Sequence, residues 1–250
     1  MRFEVLGVAI DAVDLSEATE RIAGFVRSGR RGYVCITGVH GVMEASRRPE
    51  VAAAHREASI VVPDGMPLVW CGRHLKLPIG RVYGPDLMLK LMERGLGEHW
   101  RHALYGSNEP LLSDLRGTLA GRFPGLQVTA AIAPPYRELT DSEGRDYVRL
   151  LNASGADIVW VGLSTPKQEL WMRRWRALLE APVLIGVGAA FDFHAGRVPQ
   201  APPVLQRAGL EWAYRLGREP RRLWRRYLRN NPAFMLAIAK RRPRIQRPAC

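Results

Sequence analysis

Residues 60–68 read IVVPDGMPL: three β-favouring apolar residues and a proline, then Asp64 and Gly65. A strand that is apolar at successive positions, not at alternate ones, is buried on both faces, as in a parallel sheet covered by helices. The pattern extends outward over the first 200 residues. FEVLGVAI, GYVCITGV, ASIVVPD, HALYGS, LQVTAAIAP, DIVWVGLS and PVLIGVGAAF are short apolar runs, and helical patterns such as SEATERIAGFVR, DLMLKLMERGL, PLLSDLRGTLAGRF and DSEGRDYVRLLNAS separate them. Strands alternating with helices predict an α/β fold: a Rossmann-like, mostly parallel sheet with helices on both faces. In DLSE (14–17), Asp14 is placed to cap the first helix, with Glu17 reaching back to it.

The chain of 250 residues, 47% hydrophobic, suffices for one sizeable core and a small appendage. Three cysteines, Cys35, Cys71 and Cys250, are too few and too scattered for a disulfide framework or a zinc site. The start, MRFEVLGVAIDAVDL, carries early acids and no basic or long apolar region, so it does not read as a signal peptide and a cytoplasmic location is expected. The longest uncharged apolar run, APVLIGVGAAF (181–191), is about half the roughly 20 residues that cross a bilayer.

The net charge of +13 is concentrated in one place. Residues 206–247 hold thirteen Lys or Arg and two Glu, a net of +11, so the remainder is nearly neutral. The Pro- and Gly-rich stretch HAGRVPQAPPVLQRAG (194–209) breaks the strand–helix alternation just before this tail. Residues 1–200 are therefore expected to form the α/β domain, and 201–250 a basic, aromatic-rich helical appendage. In the tail, arginines alternate with Trp212, Tyr214, Trp224 and Tyr227, a mixture suited to an anionic membrane surface. A solvated helix packing its aromatics on the main domain is the alternative. Nucleic acid is disfavoured, because no helix-turn-helix, finger or RNA-binding motif accompanies the charge.

Ligands of open parallel sheets bind beyond the carboxyl ends of the strands. Those ends carry Thr37 and His40, Asp64 and Gly65, Gly106, Ser107 and Asn108, and Thr165, Lys167, Gln168 and Glu169. Asp64 has two readings there: a base that takes a proton from a substrate hydroxyl, or the N-cap of the next helix. The Gly106 turn can offer backbone N–H groups to a phosphate or be an ordinary strand-to-helix turn. There is no GxGxxG opening a helix, no Walker motif, no clustered His/Cys set and no Asp-x-Asp triplet, so neither a dinucleotide cofactor nor a catalytic metal is expected.

Taken in order, DGMPLVW, RVYGPDLM, ALYGS, PPYRE, VGLSTPKQELWM, GVGAAFDFHAG and LEWAYRLGREPRRLWRRYL resemble the WecG/TagA/CpsF glycosyltransferases, glycosyltransferase family 26, from about residue 5 to residue 230. The resemblance implies an inverting, metal-independent transfer from a UDP-sugar to a polyprenyl-diphosphate-linked acceptor. The reaction would take place at the cytoplasmic face of the membrane, in surface polysaccharide or teichoic-acid synthesis. It implies Asp64 as the base, Thr37 in the sugar pocket, Gln168 at the donor nucleotide, and Arg81 and Asp86 lining the site. Arg215, Arg222 and Arg225 would be cations from the tail that complete it. Family members often self-associate, so a homo-oligomer is implied as well. Where many members read Thr-Leu-Asn-Ala, this chain reads Thr37-Gly38-Val39-His40. Valine cannot supply the amide expected near the donor sugar, which weakens the case for N-acetylmannosamine and leaves glucose, a uronic acid or another N-acetylhexosamine open, with His40 either a substitute contact or a structural hydrogen-bonding residue. A non-catalytic module that binds a nucleotide sugar or a lipid diphosphate is the alternative function.

Overall fold

The computed structural model describes residues 1–246 and leaves the side chain of Arg222 undescribed. Cys250 lies outside the described residues. The chain opens with β1 (Arg2–Val5) and β2 (Val8–Asp11), then α1 (Leu15–Ser28), β3 (Gly32–Thr37), α2 (Val39–Arg47), α3 (Pro49–Glu57) and β4 (Ile60–Pro63). There follow α4 (Met66–His74), α5 (Gly84–Gly97), β5 (Arg101–Gly106), α6 (Glu109–Arg122), β6 (Gln127–Ile132), α7 (Asp141–Ala153), β7 (Ile158–Gly162) and α8 (Lys167–Trp175). The chain ends with β8 (Val183–Gly186), α9 (Ala190–His194), α10 (Pro203–Arg207), α11 (Glu211–Arg218), α12 (Pro220–Lys240) and β9 (Arg244–Ile245).

Six strands form one parallel sheet in the order β4-β3-β8-β7-β5-β6. Their continuous apolar runs are shared between two cores. Tyr33 and Cys35 of β3, Tyr105 of β5, and Val159 and Val161 of β7 pack on one face. Val34 and Ile36, Leu104, and Ile158 and Trp160 pack on the other. A period of two with no polar phase is what burial on both faces requires. Strand order reverses between β5 and β7: β5 is followed outward by β6, and β7 in the opposite direction by β8. Such a reversal opens a crevice at the carboxyl ends of the strands.

The first apolar run departs from expectation. FEVLGVAI is not a strand of the parallel sheet but a hairpin, β1 against β2, turned by Leu6 and Gly7 at φ 51° and 91°. Positive φ at both central residues gives the tight two-residue turn whose twist suits antiparallel strands. The hairpin is fixed to the main sheet by the buried Asp11, which accepts from the backbone N–H of Val61 at 2.9 Å and from Arg2 and Arg21 at 3.1 and 3.2 Å. Asp14 caps α1 as expected, accepting from Glu17 N at 2.8 Å. The Glu17 carboxylate, however, pairs with Arg21 one turn on and does not reach back.

The basic tail returns across the molecule. Its longest helix, α12, lies against α2 with Leu223, Asn230 and Phe234 buried. After it, β9 joins the hairpin as a third antiparallel strand, with Arg241 and Arg244 on Glu4. Among the described residues no helix is long and apolar enough to cross a membrane.

Candidate active site

A crevice of about 410 Å³ opens beyond the ends of β3 and β4, with α10, α11 and α12 as its far wall. Asp64 stands at its base. Its backbone N–H continues the ladder to the Thr37 carbonyl at 2.9 Å, and α4 then begins after Gly65, which occupies the cap position with no side-chain cap bond. The carboxylate is thus spared helix capping and faces the crevice, one third of its side chain exposed. Burial raises its pKa to about 6, with Arg81 and Arg215 opposing and Glu211 reinforcing the shift. A carboxylate in that range is ionised at neutral pH yet basic enough to hold a proton in a transition state.

Arg81 ties the crevice together. Its Nε donates to the Asp64 carbonyl at 2.6 Å and Nη1 to Gln206 Oε1 at 3.2 Å, while Nη2 pairs with Glu211 and lies 3.5 Å from Asp64 Oδ1. The guanidinium rests on the Tyr83 ring, 4.1 Å from its centroid. Arg215 lies over Phe193, and its buried Nε has no hydrogen-bond partner among the described residues. A buried cationic N–H without an acceptor suits an anionic ligand.

His40 closes the wall between α2 and α12. Asn230 accepts from Arg47 at 2.8 Å and donates its amide to His40 Nδ1 at 3.0 Å. Burial, and after it the nearby Arg226, push the imidazole down to about 4, so it is neutral at physiological pH.

Residues 3–248 match the model of the Glycosyl transferase WecG/TagA/CpsF family. The chain belongs to that family. One relative, the N-acetylglucosaminyldiphosphoundecaprenol N-acetyl-beta-D-mannosaminyltransferase of Bacillus spizizenii, is 30% identical over 198 residues, 79% of this chain and 74% of that protein. The enzyme of the same name from Staphylococcus aureus is 25% identical over 249 residues, 98% and 95% of the two chains.

In this WecG/TagA/CpsF family member, Asp64, His40, Arg81 and Arg215 share one crevice. The other candidates lie apart from it. Thr37 sits beneath the floor, its hydroxyl 3.0 Å from His55 Nε2, while His55 Nδ1 bonds the Val51 carbonyl at 2.9 Å. Gln168 is also below, accepting from Gly188 N at 2.9 Å and donating to Glu169 at 3.2 Å. Glu169, its pKa raised by burial, takes the Thr165 hydroxyl at 2.9 Å and so fixes a residue of the crevice wall. Gly106 and Ser107 lie at the strand-order reversal, and Asn108 caps α6 through Leu111 N. Asp86 is exposed in the first turn of α5, and Arg225 is exposed on α12 with its guanidinium over Trp224. The Arg222 side chain lies outside the described residues.

Four contributors to this site do not stand out in the sequence: Gln206, Glu211, Asn230 and His55. Glu211 alone had a usable signal, as one of two acids among thirteen cations.

Proposed function

We propose that this family member moves a sugar from a UDP-sugar to a polyprenyl-diphosphate-linked acceptor, with inversion and without a metal, while docked on the cytoplasmic face of the membrane. The observation that carries the reading is Asp64: a carboxylate free of capping, at the floor of a crevice, with a pKa near neutrality. In a single displacement the acceptor hydroxyl gives its proton to Asp64 as its oxygen bonds the anomeric carbon. The bond from that carbon to the diphosphate oxygen breaks, and its electron pair leaves with UDP from the opposite face. One base suffices, and no carboxylate nucleophile is needed.

The departing charge needs partners. Arg215 reaches the crevice with an unused N–H, and Arg222 and Arg225 follow on the next helix. Gly106 and Ser107, at the strand-order reversal, are suited to the diphosphate through backbone N–H groups. Below the rim, Thr37 and Gln168 brace the strand ends from which the donor is held. The relatives' names make N-acetylglucosaminyl-diphosphoundecaprenol the first acceptor to test and N-acetylmannosamine one donor sugar among several, since Val39 stands where the amide would be.

UDP release from a panel of UDP-sugars, with a polyprenyl-diphosphate acceptor analogue and EDTA present, tests the proposal. Acceptor-dependent release with one sugar is expected, falling by about 10³-fold in Asp64→Asn, within the usual loss of a general base. Full activity in that variant would remove Asp64 from the mechanism, and loss of activity on EDTA treatment would remove metal independence.

A further inference from the structure

One guanidinium serves two carboxylates in the crevice. Arg81 donates its Nε to the Asp64 carbonyl and its Nη1 to Gln206 and rests on the Tyr83 ring, and its Nη2 is shared unequally: Glu211 takes it closely, while Asp64 Oδ1 is a long ion-pair partner at 3.5 Å. Both partners of the Arg81–Glu211 pair are largely buried, at 16% and 14% side-chain exposure, so solvent screens it little. No residue of α11 is fully buried, and Trp212, Ala213, Gly217 and Arg218 are exposed. An acid on such a solvated helix has water available, yet it is turned into a recess already holding a carboxylate, an arrangement stable only with a cation between the two.

We propose that Glu211 is a positioning residue for the base: by keeping Arg81 on itself, it stops that guanidinium from closing onto the Asp64 carboxylate, whose lone pairs stay open to the acceptor hydroxyl. The inference rests on Asp64 being the base. Without Glu211, the five N–H donors of Arg81 have one carboxylate within reach, and a two-pronged pair with Asp64 both masks it and lowers its basicity. The other charged or titratable groups around Asp64 are Tyr83 ahead of α5 and Arg215 on α11, with His40 on α2 and Arg226 on α12 lining the same crevice; Asp86 on α5 lies outside it and feels Arg81 and Glu211. Arg215 pulls in the same direction as Arg81, and Glu211 is the group whose charge opposes both.

Carbon-13 NMR of protein labelled at the aspartate carboxyl groups reads this directly without substrate, the Asp64 signal being the one missing from Asp64→Asn. In Glu211→Gln the Asp64 midpoint is expected to fall by about one unit or more from its wild-type value, and turnover to fall through kcat more than through KM. Glu211→Asp, which keeps the charge on a shorter arm, is expected to lie between the two. It carries the test alone if the glutamine variant does not fold. An Asp64 midpoint unmoved in a folded variant overturns the proposal and leaves Glu211 a clasp for α11. A midpoint that shifts as expected while Asp64→Asn still transfers sugar overturns a different statement, the assignment of Asp64 as the base.

Discussion

Asp64 carries a conflict between stability and chemistry. An unfolded aspartate titrates near 3.9, whereas the folded group is raised to about 6 by burial. Between those values the folded state binds the additional proton, so stability falls as pH rises through this window, and the loss persists at all higher pH. A two-unit shift corresponds to about 2.7 kcal/mol, which solvent access to a one-third-exposed carboxylate reduces to about 1 kcal/mol. Asp64→Asn cannot ionise, and Arg81 keeps Glu211 as its partner. This variant should therefore melt about 2–4 °C above wild type at pH 8, with the gap closing towards pH 4. Scanning calorimetry at the two pH values checks it, and a lower melting temperature at pH 8 would mean that attraction to Arg81 outweighs burial. At this scale sequence position was a partial guide. Asp64 and His40 could be picked out because they follow strand ends, where ligands meet this kind of sheet, whereas Arg81 and Arg215 came only from the family resemblance. Glu211 and Asn230 reach the crevice across separations of 130 and 190 residues, which no local pattern encodes.

Among the elements, six of the seven apolar runs became the strands of the parallel sheet; five had no polar phase and are covered on both faces, while β6, with Gln127 and Thr129 exposed, is an edge strand. The seventh, FEVLGVAI, is equally apolar, but Leu6 and Gly7 both adopt positive φ and fold it upon itself. Glycine at the second turn position was the available cue, and leucine at the first hid it, since a leucine there is uncommon. Gly106 shows a backbone requirement of a different kind. It sits at φ +123° at the end of β5, and a Cβ on it would lie 2.7 Å from the carbonyl oxygen of Gly162 on β7. That contact cannot relax without parting two central strands. Gly106→Ala should cost about 2–4 kcal/mol, combining backbone strain with overpacking. It should also raise the donor KM, because Ser107 and the start of α6 move with the strand end. Denaturant melts with donor titrations measure both, and a variant as stable as wild type would show that the turn has room to rotate.

In the whole molecule, a nearly neutral α/β body carries a strongly basic tail whose first two helices roof the crevice. No residue of α10 or α11 is fully buried, and this roof is held by Arg81 on Gln206 and Glu211, by Arg215 on Phe193 and by Trp212 on Tyr227, which places it towards the low-stability end of the structure. The three helices of the tail expose Val204, Trp212, Trp224, Leu228, Met235 and Leu236 beside the arginines, Trp212 and Met235 at the crevice and the others away from it. Aromatic and aliphatic groups among cations suit the interface of an anionic bilayer, where each cation contributes about 1 kcal/mol. If docking there orders α10 and α11, it also sets Arg215 and Glu211 against Asp64, and catalysis becomes dependent on the surface. Turnover on a water-soluble acceptor analogue should then rise several-fold or more with vesicles of anionic lipid. It should change little with zwitterionic vesicles, and the gain should shrink as salt is raised from about 0.1 to 1 M, because the Debye length falls from about 10 to 3 Å. Equal rates with and without anionic vesicles would mean that the roof is already ordered in water, and that the tail's charge serves location alone.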